Sequence, residues 1–217
     1  MSIQEDSNMQ PIYGITSISC GTSLSTNDVV AYMPNLGSLT VSADNSVLTQ
    51  KVDIRSDREI SLGGGGTAAT ANSAVKIIDL HGGKAVISGT YGMRYRAKLE
   101  VINAKCRVTT SNTGSQFTGS TKLHTIYWQE NAQTISVNIS ACPLTEESLI
   151  SLANGLNYGS AGTLTPSSAR KTMCDNCMGT VEVVGSGDDA YERFVKNDNG
   201  TISLSTFITT NKAWTLA

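Results

Sequence analysis

Cys174 and Cys177 form a single C-x-x-C pair in a chain of five cysteines, the spacing that a zinc site or a redox dithiol would use. Zinc takes four ligands, so a second pair or two histidines must complete the set. The two histidines, His81 and His124, do not sit in a ligand-type pair. The Asp-Asn interior of the pair is untypical of a dithiol that opens a helix after a strand, so both cysteines read as structural. Gly63–Gly66 lacks the Gly-Lys-Ser/Thr of a phosphate loop and the spaced glycines of a dinucleotide site, and reads as a loop or hinge. Two histidines on separate β-type runs, without an activated serine, leave little from which to assemble a nucleophile and base. Glu146-Glu147 and Asp188-Asp189 are paired acids, but each precedes a helix-like stretch, where capping accounts for them. Tyr91, Arg94, Tyr95, Arg96, Lys98 and Arg107 mix basic and aromatic residues. Strict alternation puts the tyrosines opposite the charges, so a solvated sheet face is expected rather than a stacking surface. Asn138-Ile-Ser140 and Asn199-Gly-Thr201 match the glycosylation sequon, which carries weight only in a secreted chain. No catalytic, cofactor-binding or metal-ligating residue is assigned and no cofactor is expected. An enzyme would require unseen partners for the C-x-x-C pair.

The elements that must position these residues are dominated by a unit that reads as written twice. A β-type run ends in Cys20, and Leu24-Ser, a short helical pattern and Leu39-Thr follow. A second run ends in Cys142, and Leu144-Thr, a helical pattern and Leu164-Thr follow. Such a unit points to a solenoid-like scaffold. Cys106 follows a β-type run in the same way, and all three cysteines are expected to be small buried core residues. Five sparse cysteines do not make a disulfide framework, so reduced thiols are expected. The chain is rich in Ser, Thr, Gly and Asn, with charged residues at 16% and a net charge of −2. That balance argues against broad phosphate neutralisation, and hence against nucleic acid as a partner. No apolar run approaches the ~20 residues needed to span a bilayer. The polar start, Met1 to Asn8, does not read as a secretory signal.

Local patterns fill in the layout. Residues 1–11 read as a flexible lead-in. Ser25 caps a two-turn helix that Pro34 stops. Val52, Ile54, Ile60 and Leu62 share one parity, giving one strand, or two with a bulge near Ser56–Arg58. Residues 75–80 and 85–88 read as a hairpin about His81-Gly-Gly-Lys84, residues 91–101 as an alternating strand, and 122–129 with 133–139 as a strand pair. Thr145-Glu-Glu opens a helix with Leu149, Leu152, Ala153 and Leu156 on one face. Asp188–Lys196 reads as a further helix, and the C-terminal stretch as a Ser205-capped helix followed by a strand. The expected fold class is α+β, β-rich, with a central antiparallel sheet framed by leucine-rich-like strand–helix units. The expected division is an N-terminal unit at 1–62, a β-rich centre at 63–135 and a C-terminal module at 136–217. The last could be one continuous domain with 12–41, and an alternative is two domains split near Gly63–Asn72.

The string Leu144-Thr-Glu-Glu-Ser-Leu-Ile-Ser-Leu-Ala-Asn-Gly-Leu156, then Gly162-Thr-Leu-Thr165 and Thr210-Asn-Lys-Ala-Trp-Thr-Leu-Ala217, resembles a module of virion appendage proteins from tailed phages of gut bacteria. It also resembles leucine-rich surface proteins of those bacteria. The resemblance covers roughly residues 136–217. Ala213 stands where the module usually has Gly, and an insertion carrying Cys174 and Cys177 precedes the closing unit. The resemblance implies a non-enzymatic virion protein, a head or tail fibre or a fibre adaptor, localised to the virion. Its implied partners are itself as a homo-oligomer, other virion proteins, and a host-surface glycan or protein, with no membrane insertion. The alternative is a bacterial surface adhesin or carbohydrate-binding module, for which Tyr127 and Trp128 would offer an aromatic platform.

Overall fold

The computed structural model describes residues 10–20, 28–41, 51–64, 74–89, 92–109 and 116–217. The expected lead-in, the Ser25 cap, the loop after Gly64 and Tyr91 fall wholly or mostly outside these residues. So does the side chain of Cys20.

Short β-branched runs recurring every two dozen residues form the body. Strands β1 Ser17–Cys20, β2 Asp28–Tyr32, β3 Ser38–Val41, β4 Lys51–Arg55, β5 Ile60–Gly63, β6 Ile77–Ile87, β7 Val101–Val108 and β8 Thr125–Trp128 build one eight-stranded sheet. Every pairing in it is parallel. Val29, Val52, Ile78, Ile102 and Ile126 occupy one row. Ile18, Leu39, Leu62, Ile87 and Val108 occupy another. Like positions stacked over like positions are the mark of a β-solenoid, in which each coil buries its apolar face only against its neighbours. A third row, Ile60–Ala85–Cys106–Trp128, places two small residues between two large ones. Trp128 there packs edge-on against Phe117, with ring centroids 6.2 Å apart.

This architecture corrects the expected central antiparallel sheet framed by strand–helix units. Residues 75–88 do not fold back as a hairpin. His81 and Gly82 take φ values of 52° and 68°, which bend β6 at a corner, and both halves of the strand pair in parallel with β7. The pattern at 25–33 expected to be helical ends in strand β2, because Val29–Tyr32 lie beside β4 and Val29 joins an apolar row. Residues 92–98 form turns rather than an alternating strand. The runs at 122–129 and 133–139 yield β8 and β9 Val137–Asn138, which lie in different sheets. Alternation reports a half-buried strand but not whether its partner lies 4 or 24 residues away, so parallel and antiparallel pairing read alike. Of the two readings of 50–62, one strand or two, the structure has two, β4 and β5, which do not pair with each other.

Helix α1 Glu146–Gly155 lies against β8, where a further pair of strands would otherwise stack. Thr145 caps it, accepting from the Ser148 amide. Ser148 Oγ then accepts from Ile126 N at 3.1 Å, and Ser151 Oγ from Trp128 N at 2.8 Å. The last edge of the sheet is thereby closed by side chains. Buried Gln133 acts similarly on Val108, accepting from its N–H at 2.7 Å and donating to its C=O at 3.3 Å. Opposite these faces, β9, β10 Thr163–Thr165 and β14 Thr215–Leu216 form a small parallel sheet that stacks Val137, Leu164 and Leu216.

Between β10 and β14 come α2 Ser168–Asn176, β11 Met178–Val184, β12 Tyr191–Lys196, β13 Ile202–Ser203 and α3 Leu204–Thr206, which widens into a π-type turn over Phe207–Asn211. The expected helix at 188–196 is therefore strand β12, antiparallel to β11. Asn154 of α1 docks it, since the side chain accepts from Phe194 N at 2.7 Å and donates to Phe194 O at 3.1 Å. One buried amide thus reproduces a rung of β-pairing between helix and strand.

Candidate functional site

The outer face of the solenoid carries a row formed by Lys84 of β6, Lys105 of β7 and Tyr127 of β8. Beyond it stand the first turns of α1. Between them lies a cavity of about 530 Å³, whose wall includes Lys84, Lys105, Tyr127, Gln129, Glu130 and Glu147. Partial burial, and then the neighbouring Glu147, raise the Tyr127 hydroxyl above its ordinary range.

A second cavity of about 470 Å³ lies between the turns at 130–132 and 157–160, strand β12 and the C-terminal turn. Asn131, Asn157, Tyr158, Tyr191, Glu192 and Lys212 line it. Asn131 sits at φ 52°, a conformation Asn tolerates in turns. Its carbonyl accepts from Asn157 Nδ2 at 2.9 Å, and its side-chain oxygen accepts from Tyr158 N at 3.3 Å. Asn211 Nδ2 donates to Glu192 at 2.9 Å. One wall residue of each cavity is hydrogen-bonded to the other, the Tyr191 hydroxyl donating to the Glu130 carboxylate. That bond is the first cause of the raised Tyr191 pKa.

Lys212 is fully buried, and its Nζ has no hydrogen-bond partner. It lies 5.8 Å from the Tyr191 ring centre and 5.4 Å from that of Phe207. Burial lowers its pKa to about 8, while Glu192 and Glu130 oppose the shift. Isolated apolar burial of an ammonium group is costly, and the aromatic faces offset only part of that cost.

The residues singled out in the sequence fall elsewhere. Cys174 and Cys177 are buried at the end of α2, with thiols pushed up by desolvation, Cys174 to about 12. Cys106 and Cys142 are buried too, and Cys142 is raised to about 12. Thiols kept neutral by burial are poor nucleophiles. Among the described residues no cluster of three or more His, Cys, Asp or Glu side chains could hold a metal ion. His81 Nε2 lies 2.6 Å from buried Asp53, which Lys51 also reaches at 2.6 Å, whereas His124 Nδ1 meets Thr125 at 2.9 Å. The two histidines therefore serve separate local bonds. Glu146 pairs with Lys196, and Asp188 and Asp189 sit on an exposed 3₁₀ turn. Arg96 does not join a solvated face. It is buried and donates to Gly64 O at 2.5 Å. Arg107 forks onto Glu59 at 2.9 and 3.2 Å. Both residues of the expected aromatic platform line the first cavity, but Tyr127 is partly exposed there whereas Trp128 is 2% exposed and packs into the core.

Asn131, Tyr158, Tyr191 and Lys212 were not singled out by sequence reasoning. Asn131 and Asn157-Tyr-Gly159 carry turn signals, but nothing in the chain says that the two turns adjoin. No helix among the described residues is long and apolar enough to cross a membrane. Compared with known proteins, the chain matches no family model, no curated protein and no solved structure.

Proposed function

We propose that this chain is a non-enzymatic structural protein of a phage virion. In this reading it is a head or tail fibre subunit, or a fibre adaptor, that assembles with itself and other virion proteins and presents an attachment surface. The observation that best supports the reading is the asymmetric solenoid. Rigid stacked coils end at β8, where α1 closes the edge through Ser148 and Ser151, and cavities open on the flank beside that closure. Such a body holds a binding surface rigidly without needing chemistry of its own. The backbone at residue 213 adds support. Ala213 has φ 56°, the left-handed conformation that favours the Gly of the module it resembles.

Mass spectrometry of density-gradient-purified particles, with antibody labelling in electron micrographs, tests the reading. The expected result is this chain at fixed copy number on an appendage. Its absence from particles, with antibody binding to intact bacterial cells instead, would replace the virion protein by a bacterial surface adhesin.

A further inference from the structure

We propose that the paired cavities beside α1 form one cleft that binds a neutral oligosaccharide. This deepens the attachment part of the proposed function and rests on that part alone.

Three observations carry it. The first is shape. Glu130 on the wall of the cavity of about 530 Å³ is hydrogen-bonded to Tyr191 on the wall of the one of about 470 Å³. An elongated ligand can lie across that contact, whereas a single compact one fills only one side.

The second is chemistry. Gln129, Asn131, Asn157 and Asn211 supply planar amides, and Glu147 and Glu192 supply carboxylates. Such groups donate to or accept from adjacent ring hydroxyls, and fixed amides and acids suit neighbouring hydroxyls on one sugar. Asn131 spends its side-chain oxygen on Tyr158 N, and its Nδ2 donates to none of the described residues. Asn211 does the reverse, donating from Nδ2 to Glu192. Tyr127, Tyr158 and Tyr191 add flat apolar faces with polar tips, suited to the C–H face of a sugar ring. Tyr158 is 69% exposed, a large aromatic surface that packing leaves uncovered.

The third is charge. Glu130, Glu147, Asp188 and Glu192 stand against Lys84, Lys105 and Lys212, a near-balanced wall with one acid in excess. Lys212 is buried beneath the rings of Tyr191 and Phe207 with acids facing it, so it is not placed as an anion receptor. A uronate, phosphate or nucleic-acid strand would meet the Glu192 and Asp188 end unfavourably.

The experiment uses the full chain and isothermal titration calorimetry. The probes are a panel of neutral hexasaccharides (cello-, malto-, laminari-, xylo-, manno- and N-acetylchito-hexaose), with hexagalacturonic acid as the acidic comparison. At least one neutral hexasaccharide should bind, more tightly than its disaccharide. Tyr158→Ala and Tyr127→Ala should each weaken binding by about tenfold. Tyr13→Ala, a similarly exposed tyrosine outside the cleft, should leave it unchanged. Circular dichroism spectra unchanged by these surface substitutions would separate lost binding from lost folding. No binding across the neutral panel, binding of the acidic probe alone, or neutral binding indifferent to both cleft tyrosines would each overturn the proposal. None of those results bears on whether the chain is found in purified particles, so the two proposals fail separately.

Discussion

Ala213 holds φ 56°, where the Cβ of an L-residue crowds the following carbonyl at a cost of about 1–2 kcal/mol. Its neighbour Trp214 explains why the chain tolerates this. The indole is buried against Gly162 and donates from Nε1 to Asn157 O at 2.9 Å, so the turn that delivers Trp214 is fixed by its packing. Ala213→Gly should therefore stabilise the protein by about 1 kcal/mol, after the added chain entropy of glycine is subtracted. Thermal unfolding should shift upward by about 2–4 °C at this size. An unchanged or lowered midpoint would mean that residue 213 is not strained. The reach of the sequence at this scale shows in the same region. Asn131 and Gly159 carry turn signals, since few residue types adopt a positive φ, but neither signal marks a site. Lys212 carries none, because a lysine buried without a partner looks in the sequence like any solvated lysine. Tyr191 was hidden for another reason. Its surroundings, Asp188 to Lys196, carry acids before apolar residues at helical spacing, and pairing with β11 overrides that local preference.

Helix α1 and strand β8 form the element pair on which the closed end of the solenoid depends. A strand edge that faces a helix has no backbone partner, and here Ser148 and Ser151 take the place of one. Replacing both with alanine leaves Ile126 N and Trp128 N unpaired beneath the helix. Each orphaned donor costs about 1–3 kcal/mol. Ser148→Ala/Ser151→Ala should thus lower the urea midpoint markedly and speed hydrogen exchange at the Ile126 and Trp128 amides, while amides of β3 and β5 keep their protection order. Unaltered exchange at those two amides would sink the capping role. Helix α1 was legible almost to the residue, since Thr145, two following acids, an apolar stripe and Gly155 all act locally. The strands were legible as strands, in β4, β5, β7 and β8, because Val, Ile and Leu mark their buried faces. Their partners were not. Val52 meets Val29 and Ile78 across separations that no local pattern encodes, and the glycines after His81 suit a corner as well as a reversal. The repeat unit was read as strand and helix, but its first copy holds strand β2 where a helix was expected. The departure of residues 42–135 from that pattern then hid that strands β4 to β8 stack in the same parallel sheet.

At the scale of the molecule, two kinds of buried titratable group act on stability in opposite senses. Desolvation raises the thiols of Cys106, Cys142, Cys174 and Cys177, whereas in the unfolded chain a thiol ionises near ~8.5. Above that pH the unfolded state has lost protons that the folded state keeps. Stability supplied by each neutral thiol is complete below ~8.5 and is lost as pH rises toward the folded value, at about 1 kcal/mol per thiol by pH ~9.5. Lys212 does the reverse. Its folded pKa of about 8 lies below an unfolded value near ~10.4, so between the two the unfolded chain binds the extra proton and stability rises with pH. The groups facing it are Glu192 and Glu130 with the Tyr191 and Phe207 rings. The wild-type protein should lose stability gradually from pH 7 to 9.5, with the thiols outweighing the lysine. Lys212→Met should be more stable at pH 7 by up to about 3 kcal/mol, because the cost of the buried charge is removed. It should then lose stability more steeply over the same range, by roughly a further 2 kcal/mol, because the compensating rise is gone. Urea unfolding at half-unit intervals measures both curves. Parallel curves would mean that Lys212 keeps an ordinary pKa, and hence that water or a neighbouring acid reaches its Nζ in solution. That outcome would also remove the grounds for treating the cleft's cation as unavailable to an anionic ligand.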